Sequence, residues 1–369
     1  MPRKEKIRAF QFTILVVLYT IGTSILIAPN TTAFFAKKDA WMALIINLIL
    51  GLFLVLFYNK LAKSFQGKDF FQYIDDLLGK WPAKILSALL FIFCFLLIPI
   101  LLREMADFAT IQLFVETPLD VIIGLFIIIV ILGARYGIET LARSGEIMFP
   151  WFLFLLALLL LLLIPEMKIK NILPMFEEGA KPILLSSYAS LSIPYFQLFI
   201  LLVLIPYVNK QEQAGKAFFT GVLFGGIVIF LITLVSLLVL GGESTARLFF
   251  PSYTMAKIIS IANIIERLEA FLAAIWFISI YMKISISFYC SVLFLNHVFR
   301  VKEEKILMYP LGFILLFLSI YISPNIYHYR NFVGQIYSLY TATYAILLPI
   351  LLMVIGKIKN RKKSVGQNG

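Results

Sequence analysis

From Phe10 to residue 356 the chain is a succession of ten apolar stretches, each about 17 to 27 residues long. That length lets a helix rising 1.5 Å per residue cross a hydrocarbon layer of about 30 Å. They run over 10–36, 41–59, 84–105, 119–134, 147–165, 183–207, 214–240, 264–290, 306–323 and 334–356, the fourth being short and the ninth the weakest in signal. Lipid offers a backbone no hydrogen-bond partners, so such runs must close their own bonds as helices. The expected fold is therefore an all-α integral membrane protein of ten transmembrane helices. Composition agrees: 61% of residues are hydrophobic and 14% charged, where soluble domains lie nearer a half and about a quarter. The basic opening, "MPRKEKIRAF", has the charge of a signal peptide. The run behind it is too long and has no small-residue cleavage site, so it reads as a retained first span.

Lys and Arg set the orientation. With the N-terminus inside, 21 basic residues fall in the inner segments, from Arg3 to the tail "KIKNRKK", and nine in the outer ones. The bias places both termini in the cytoplasm and explains the +12 net charge without nucleic acid. Connections are short. The longest, 60–83, holds "DFFQYIDDLLGKW", in which Phe70, Ile74, Leu77 and Leu78 recur at helical spacing before Gly79; it predicts an amphipathic helix on the membrane face. No segment is large enough for a second domain. Residues 1–369 form one transmembrane domain, divided into 1–180 and 181–369. Cys94 and Cys290 lie within apolar runs and imply neither disulfide nor metal site.

The first span is interrupted at its centre. "IGTSILIAPN" places Gly22, Thr23 and Ser24 midway and Pro29 just after. The sixth span holds "SYASLSIPYFQ", with Ser190, Ser192 and Pro194. Gly22 and Ser192 are separated by 170 positions, close to half the chain. Each opens a set of five spans, and an odd number per half starts the second half on the opposite side of the membrane. The halves are thus expected to form a 5+5 inverted repeat with helices 1 and 6 broken, the sequence pattern of a midplane binding site in transporters. Unwinding frees N–H groups near Ser24, Ile25 and Leu26 to hold a carboxylate, and carbonyls near Leu18 to Ile21 to hold a cation. That combination suits a zwitterion such as an amino acid. Gly22, Thr23, Ser24, Ile25, Leu26, Ser190, Ser192, Pro194 and Trp276 are the expected ligand-binding residues.

Ionisable groups inside spans are functional suspects. Lys283 lies in the inner half of the eighth span. It either snorkels to the headgroups or stands beside the freed carbonyls of the first span as a substitute for a coupling cation. Arg103 and Asp107, one turn apart, form a candidate rim pair or gate, as do Glu266 and Arg267. His297 and His328 fall at span ends. No nucleophile–base pair, phosphate loop or metal-ligand cluster suggests an enzyme, a cofactor or a metal.

"IGTSILIAPNTTAFFAKKDAW", with its Asp39–Ala40–Trp41 element, and "IERLEAFLAAIW" resemble the B subunits of the GerA-type spore germinant receptors, a family within the amino acid–polyamine–organocation transporter superfamily. Where many amino acid transporters of that superfamily carry a third-position glycine, this chain has Ser24. The resemblance spans nearly the whole chain. It implies a LeuT-like fold and a receptor subunit of the spore inner membrane that binds a small nutrient germinant and acts with an A subunit and a lipoprotein C subunit. An ordinary amino acid permease fits the residue-level reading equally well.

Overall fold

The computed structural model describes residues 5–258, 268–323 and 337–366, with side chains as far as Lys359. Apart from one bridged pair, Ile7 with Val208, these residues contain no strand. The helices are α1 (Ala9–Ile21), α2 (Ser24–Ala36), α3 (Ala40–Lys63), α4 (Phe70–Leu78), α5 (Lys80–Gln112), α6 (Leu119–Arg135), α7 (Ile138–Leu163), α8 (Ala180–Leu191), α9 (Gln211–Leu240), α10 (Gly242–Arg247), α11 (Pro251–Lys257), α12 (Glu269–Phe299), α13 (Met308–Tyr321), α14 (Ser338–Ala342) and α15 (Leu348–Gly366). A 3₁₀ helix, Phe196–Tyr207, follows α8.

Eight helical stretches among the described residues are long and apolar enough to cross a membrane. The ten expected from the sequence exceed these by two. The first stretch is divided, and its first part, α1, has only 13 residues, about 20 Å at the helical rise. The fourth, α6, has 17 residues. Several helices outrun their apolar runs: α7 begins at Ile138 rather than near 147, and α12 continues to Phe299. The polar turn 138–146 stays helical because Glu5 Oε2 accepts a hydrogen bond from Ile138 N (2.8 Å), capping the start of α7.

Burial separates a centre from a periphery. In its most apolar window, 94% of Ala180–Tyr207 is buried, against 22% of Ile138–Glu166. The segment of α8 and the 3₁₀ helix therefore runs through the middle, while α7 presents its outer face to lipid. α1 packs on α9, α12 and α7, and α12 also packs on α5. Small residues let α1 and α9 close in: a Cβ on Gly221 would stand 2.6 Å from Val16 Cβ and 2.9 Å from Thr13 O.

The amphipathic helix forms as expected, as α4. Asp69 caps it by accepting from Gln72 N (2.8 Å), and it ends at Gly79, whose φ of 87° suits glycine. Its Asp75 faces His297 Nε2 at 3.3 Å, and Ser87 Oγ lies 2.8 Å from His297 Nδ1, so His297 joins α4, α5 and α12.

Candidate functional site

α1 stops at Ile21 and α2 starts at Ser24. Gly22, between them, has φ 28° and ψ −116°, a conformation that a side chain at this position would strain. The position is also crowded: a Cβ there would overlap Lys283 Cδ and lie 3.1 Å from Tyr19 O. Glycine is thus required twice, for its dihedrals and for the lysine that crosses it. Residues 22–26 are all buried. The expected free groups are partly spoken for: Leu26 N donates to Thr23 O (3.1 Å), and Leu18 O accepts from Gly22 N (2.9 Å). Thr20 O accepts from Ser24 Oγ (3.3 Å), and Ile25 O from Ser252 Oγ on α11 (2.6 Å).

In the central segment α8 ends at Leu191, and residues 192–195 form turns before the 3₁₀ helix. Pro194 has no N–H to offer the Ser190 carbonyl, which instead accepts from Ile193 N at 3.4 Å. The 3₁₀ helix is 12 residues long. At about 2.0 Å per residue it covers roughly 24 Å, some 6 Å more than the same residues as α-helix. The serines are engaged. Ser190 Oγ donates to Ser186 O (2.6 Å) and accepts from Asn47 Nδ2 (2.7 Å), while Asn47 Oδ1 takes Ser187 Oγ (2.5 Å). Ser192 Oγ donates to Ala189 O (3.2 Å) and accepts from Ser338 Oγ (3.1 Å).

α12 joins the two interruptions. Lys283 is fully buried; its Nζ donates to Ile193 O (3.3 Å) and stands 5.5 Å from the centroid of the Tyr19 ring. The amine therefore reaches the interrupted sixth stretch. The first-span carbonyls near Leu18 to Ile21, its expected partners, are passed by its methylenes at Gly22. One turn up, Ser279 Oγ bonds both Gly22 O (3.2 Å) and Trp276 O (2.9 Å). Trp276 is buried, edge-on to Phe108 at 4.6 Å, and its Nε1 has no hydrogen-bond partner among the described residues. A buried indole N–H without an acceptor is unusual.

Two buried polar residues of this junction are absent from the sequence-based expectations. Glu104, buried on α5, interacts electrostatically with Lys283. It stands between Arg103 and Asp107, and its signal was there: a carboxylate inside an apolar run. Asn47, on α3, organises the serines of α8; a lone amide in a span carries little signal of its own.

Arg103 and Asp107 do pair (Nε to Oδ1, 3.0 Å), both side chains nearly buried. Arg103 Nη1 also donates to the carbonyls of Ile320 (2.9 Å) and Ser323 (2.6 Å), closing the end of α13. Glu266 and Arg267 lie outside the described residues, as does His328. Asp39 is buried, and both its carboxylate oxygens accept from Phe176 N at 3.0 Å, docking the 173–179 connection. Lys37 pairs with Glu178 (2.7 Å) and Lys38 with Glu177 beside it. Cys94 and Cys290 are free and buried. Among the described residues no group of three or more His, Cys, Asp or Glu is placed to hold a metal. What remains is a closed, polar-lined junction of helix ends.

Transporters of the same fold carry comparable architecture. The structure aligns with MhsT in complex with L-phenylalanine at a TM-score of 0.66 and 14% identity, covering 96% of this chain and 99% of that one. It aligns with Mhp1, a nucleobase-cation-symport-1 family transporter in a closed conformation with bromovinylhydantoin bound, at a TM-score of 0.69 and 16% identity, over 95% and 78% of the two chains. At such identities the likeness speaks for fold alone, and it bears out the transporter-like, all-helical expectation. In sequence, the chain is 26% identical over 370 residues to spore germination protein KB of Bacillus subtilis (strain 168), covering 99% of this chain and 98% of that protein. The spore germination protein family matches residues 6–327. The resemblance carried by the Gly22 and Asp39 motifs and the match along most of the chain thus agree, and this multi-pass helical protein belongs to the spore germination protein family.

Proposed function

We propose that the chain is the membrane subunit of a germinant receptor, binding a small nutrient, an amino acid, where the interrupted first and sixth spans meet. In this reading α1 and α2 form one span, α6 is the fourth, and the ten spans divide into inverted halves, 1–180 and 181–369. Both termini lie on the cytoplasmic side of the spore inner membrane, and an A and a C subunit complete the receptor. The observation that carries the reading is the Lys283 side chain, threaded across Gly22 to the Ile193 carbonyl. It links two interruptions from opposite halves through one buried amine.

The unpartnered Trp276 N–H supports a ligand with an acceptor group, such as a carboxylate. Gly22 to Leu26, Ser190, Ser192 and Pro194 supply the surrounding backbone and hydroxyls, and occupancy by a ligand exchanges some of their present internal bonds. Arg103 and Asp107 hold the outer rim as a gate or brace. In this reading the Lys283 amine replaces a coupling sodium, and the response is independent of sodium. Spores carrying Lys283→Met lose the response to a panel of L-amino acids at normal protein levels, and Lys283→Arg loses less. Full sensitivity in the methionine variant, or a response that needs sodium, refutes the role of the amine.

The fold, shared with solute transporters, favours one second reading: an amino acid permease. Uptake of labelled amino acid into vesicles containing the chain alone distinguishes them. A receptor subunit shows ligand binding without net uptake.

A further inference from the structure

Beneath α4, at the end of the bundle where α3 finishes, lies a cavity of about 280 Å³. It is independent of the ligand junction. Its walls come from three places: Lys60 and Ser64 at the end of α3, Lys68 with Tyr73, Asp76 and Leu77 around α4, and Met353, Lys357 and Lys359 on α15. Four ammonium groups face one carboxylate. Lys68 pairs with Asp76 (2.5 Å). Lys359 Nζ donates to the carbonyls of Asp76 (2.5 Å) and Leu77 (3.4 Å), so it is held at the negative end of α4. Lys60 and Lys357 make no ion pair among the described residues. Two uncompensated charges thus point at one cavity, beside two others already fixed in place.

The position says what kind of anion fits. Lys60 lies in the last turn of the 24-residue apolar helix α3, and Lys357 follows the apolar part of α15. Charges just past the ends of spans stand at headgroup depth. Part of the lining is apolar and aromatic, from Phe65, Tyr73, Leu77 and Met353. A free phosphate has no use for these side chains, whereas a lipid places its glycerol and first methylenes against them. We propose that this cavity is a binding site for the phosphate headgroup of an anionic phospholipid, which bridges α3, α4 and α15. Basic pockets between spans on the inner face are suited to such headgroups. The lipid fastens α4 to the bundle by supplying the negative charge that the lining lacks.

The full-length protein, purified in detergent and exchanged into defined lipid, tests the assignment by native mass spectrometry. The probes are cardiolipin, phosphatidylglycerol, phosphatidylcholine and inorganic phosphate. Wild-type protein retains the two anionic lipids and not phosphatidylcholine. Removing both unpaired charges in Lys60→Gln/Lys357→Gln weakens retention by about 30-fold, from roughly one charge-worth of surface attraction per lysine. Lys60→Arg/Lys357→Arg restores it, which separates charge from folding, and Lys84→Gln, on another face, leaves retention unchanged. Equal retention in the glutamine variant overturns the site, as does equal retention of phosphatidylcholine. Displacement of the lipid by millimolar inorganic phosphate, with no dependence on acyl chains, also overturns it and marks a free-phosphate site.

Discussion

Replacing Gly22 by alanine tests the junction at its tightest point. Two costs arise from separate causes. A non-glycine residue at φ 28°, ψ −116° is strained by roughly 1–3 kcal/mol. The added methyl overlaps Lys283 Cδ and stands 3.1 Å from Tyr19 O and 3.4 Å from Lys283 Cβ, and overpacking of this kind costs roughly 1–3 kcal/mol. Gly22→Ala should therefore destabilise by about 2–6 kcal/mol, the sum of the two ranges. A double-mutant cycle separates them. Lys283→Ala removes the obstructing methylenes but leaves the dihedral untouched, so the double variant should be less destabilised than the sum of the single ones by about 1–3 kcal/mol. Denaturant unfolding of the purified protein in mixed micelles, followed by tryptophan fluorescence, measures each corner. If the two substitutions add within about 0.5 kcal/mol, Lys283 does not cross Gly22 and the junction is built otherwise. If Gly22→Ala alone is neutral, the strained interruption is refuted as well.

Other outcomes follow from the ion pairs. Arg103→Met leaves the nearly buried Asp107 without its partner and the end of α13 without its donor; it should cost about 3–5 kcal/mol, and Arg103→Met/Asp107→Leu markedly less, in the same unfolding assay. Lys38, donating to Glu177, holds that exposed carboxyl below its ordinary range. A carboxyl lowered in the folded state stabilises above its unfolded value and ceases to do so as pH falls through the folded one. Fluorescence of Trp41, near this connection, should therefore respond to acid only below about pH 4.3, and Glu177→Gln should abolish the response; a transition unchanged in the variant refutes the pairing.

Much of the fold is legible because lipid restricts it: apolar runs of the right length must be helices, and Gly22 and Pro194 mark where a helix cannot continue unchanged. The reading fails where the cause is not apolar. The start of α7 is polar and invisible to a count of greasy residues, yet it is helical because Glu5, 133 positions away, caps it. The site divides in the same way. That Gly22 lies at an interruption follows from its own chemistry, and that Lys283 is unusual follows from its charge. That the amine reaches Ile193 depends on how the segments pack, as does the use of Ser190 and Ser192 by Asn47 and Ser338. Serines that look available in a sequence are here already bonded to one another and to the backbone.

The residues before α1 limit how this protein can change shape. Ile7 N donates to Tyr207 O and Ile7 O accepts from Asn209 N, both at 2.9 Å, while Lys6 Nζ donates to Pro206 O. Glu5 meanwhile caps α7, and Arg8 pairs with Glu146 on the same helix at 2.6 Å. The start of α1, the end of the 3₁₀ helix and the start of α7 are thus stitched by one short strap. Each backbone bond contributes only about 1 kcal/mol net, but the contacts to both elements are carried by four consecutive residues, so displacing either end strains the same short segment. The three ends are consequently linked through residues 5–8. The strap is a clasp: a substitution within residues 5–8 loosens the start of α1, the end of the 3₁₀ helix and the start of α7 at once.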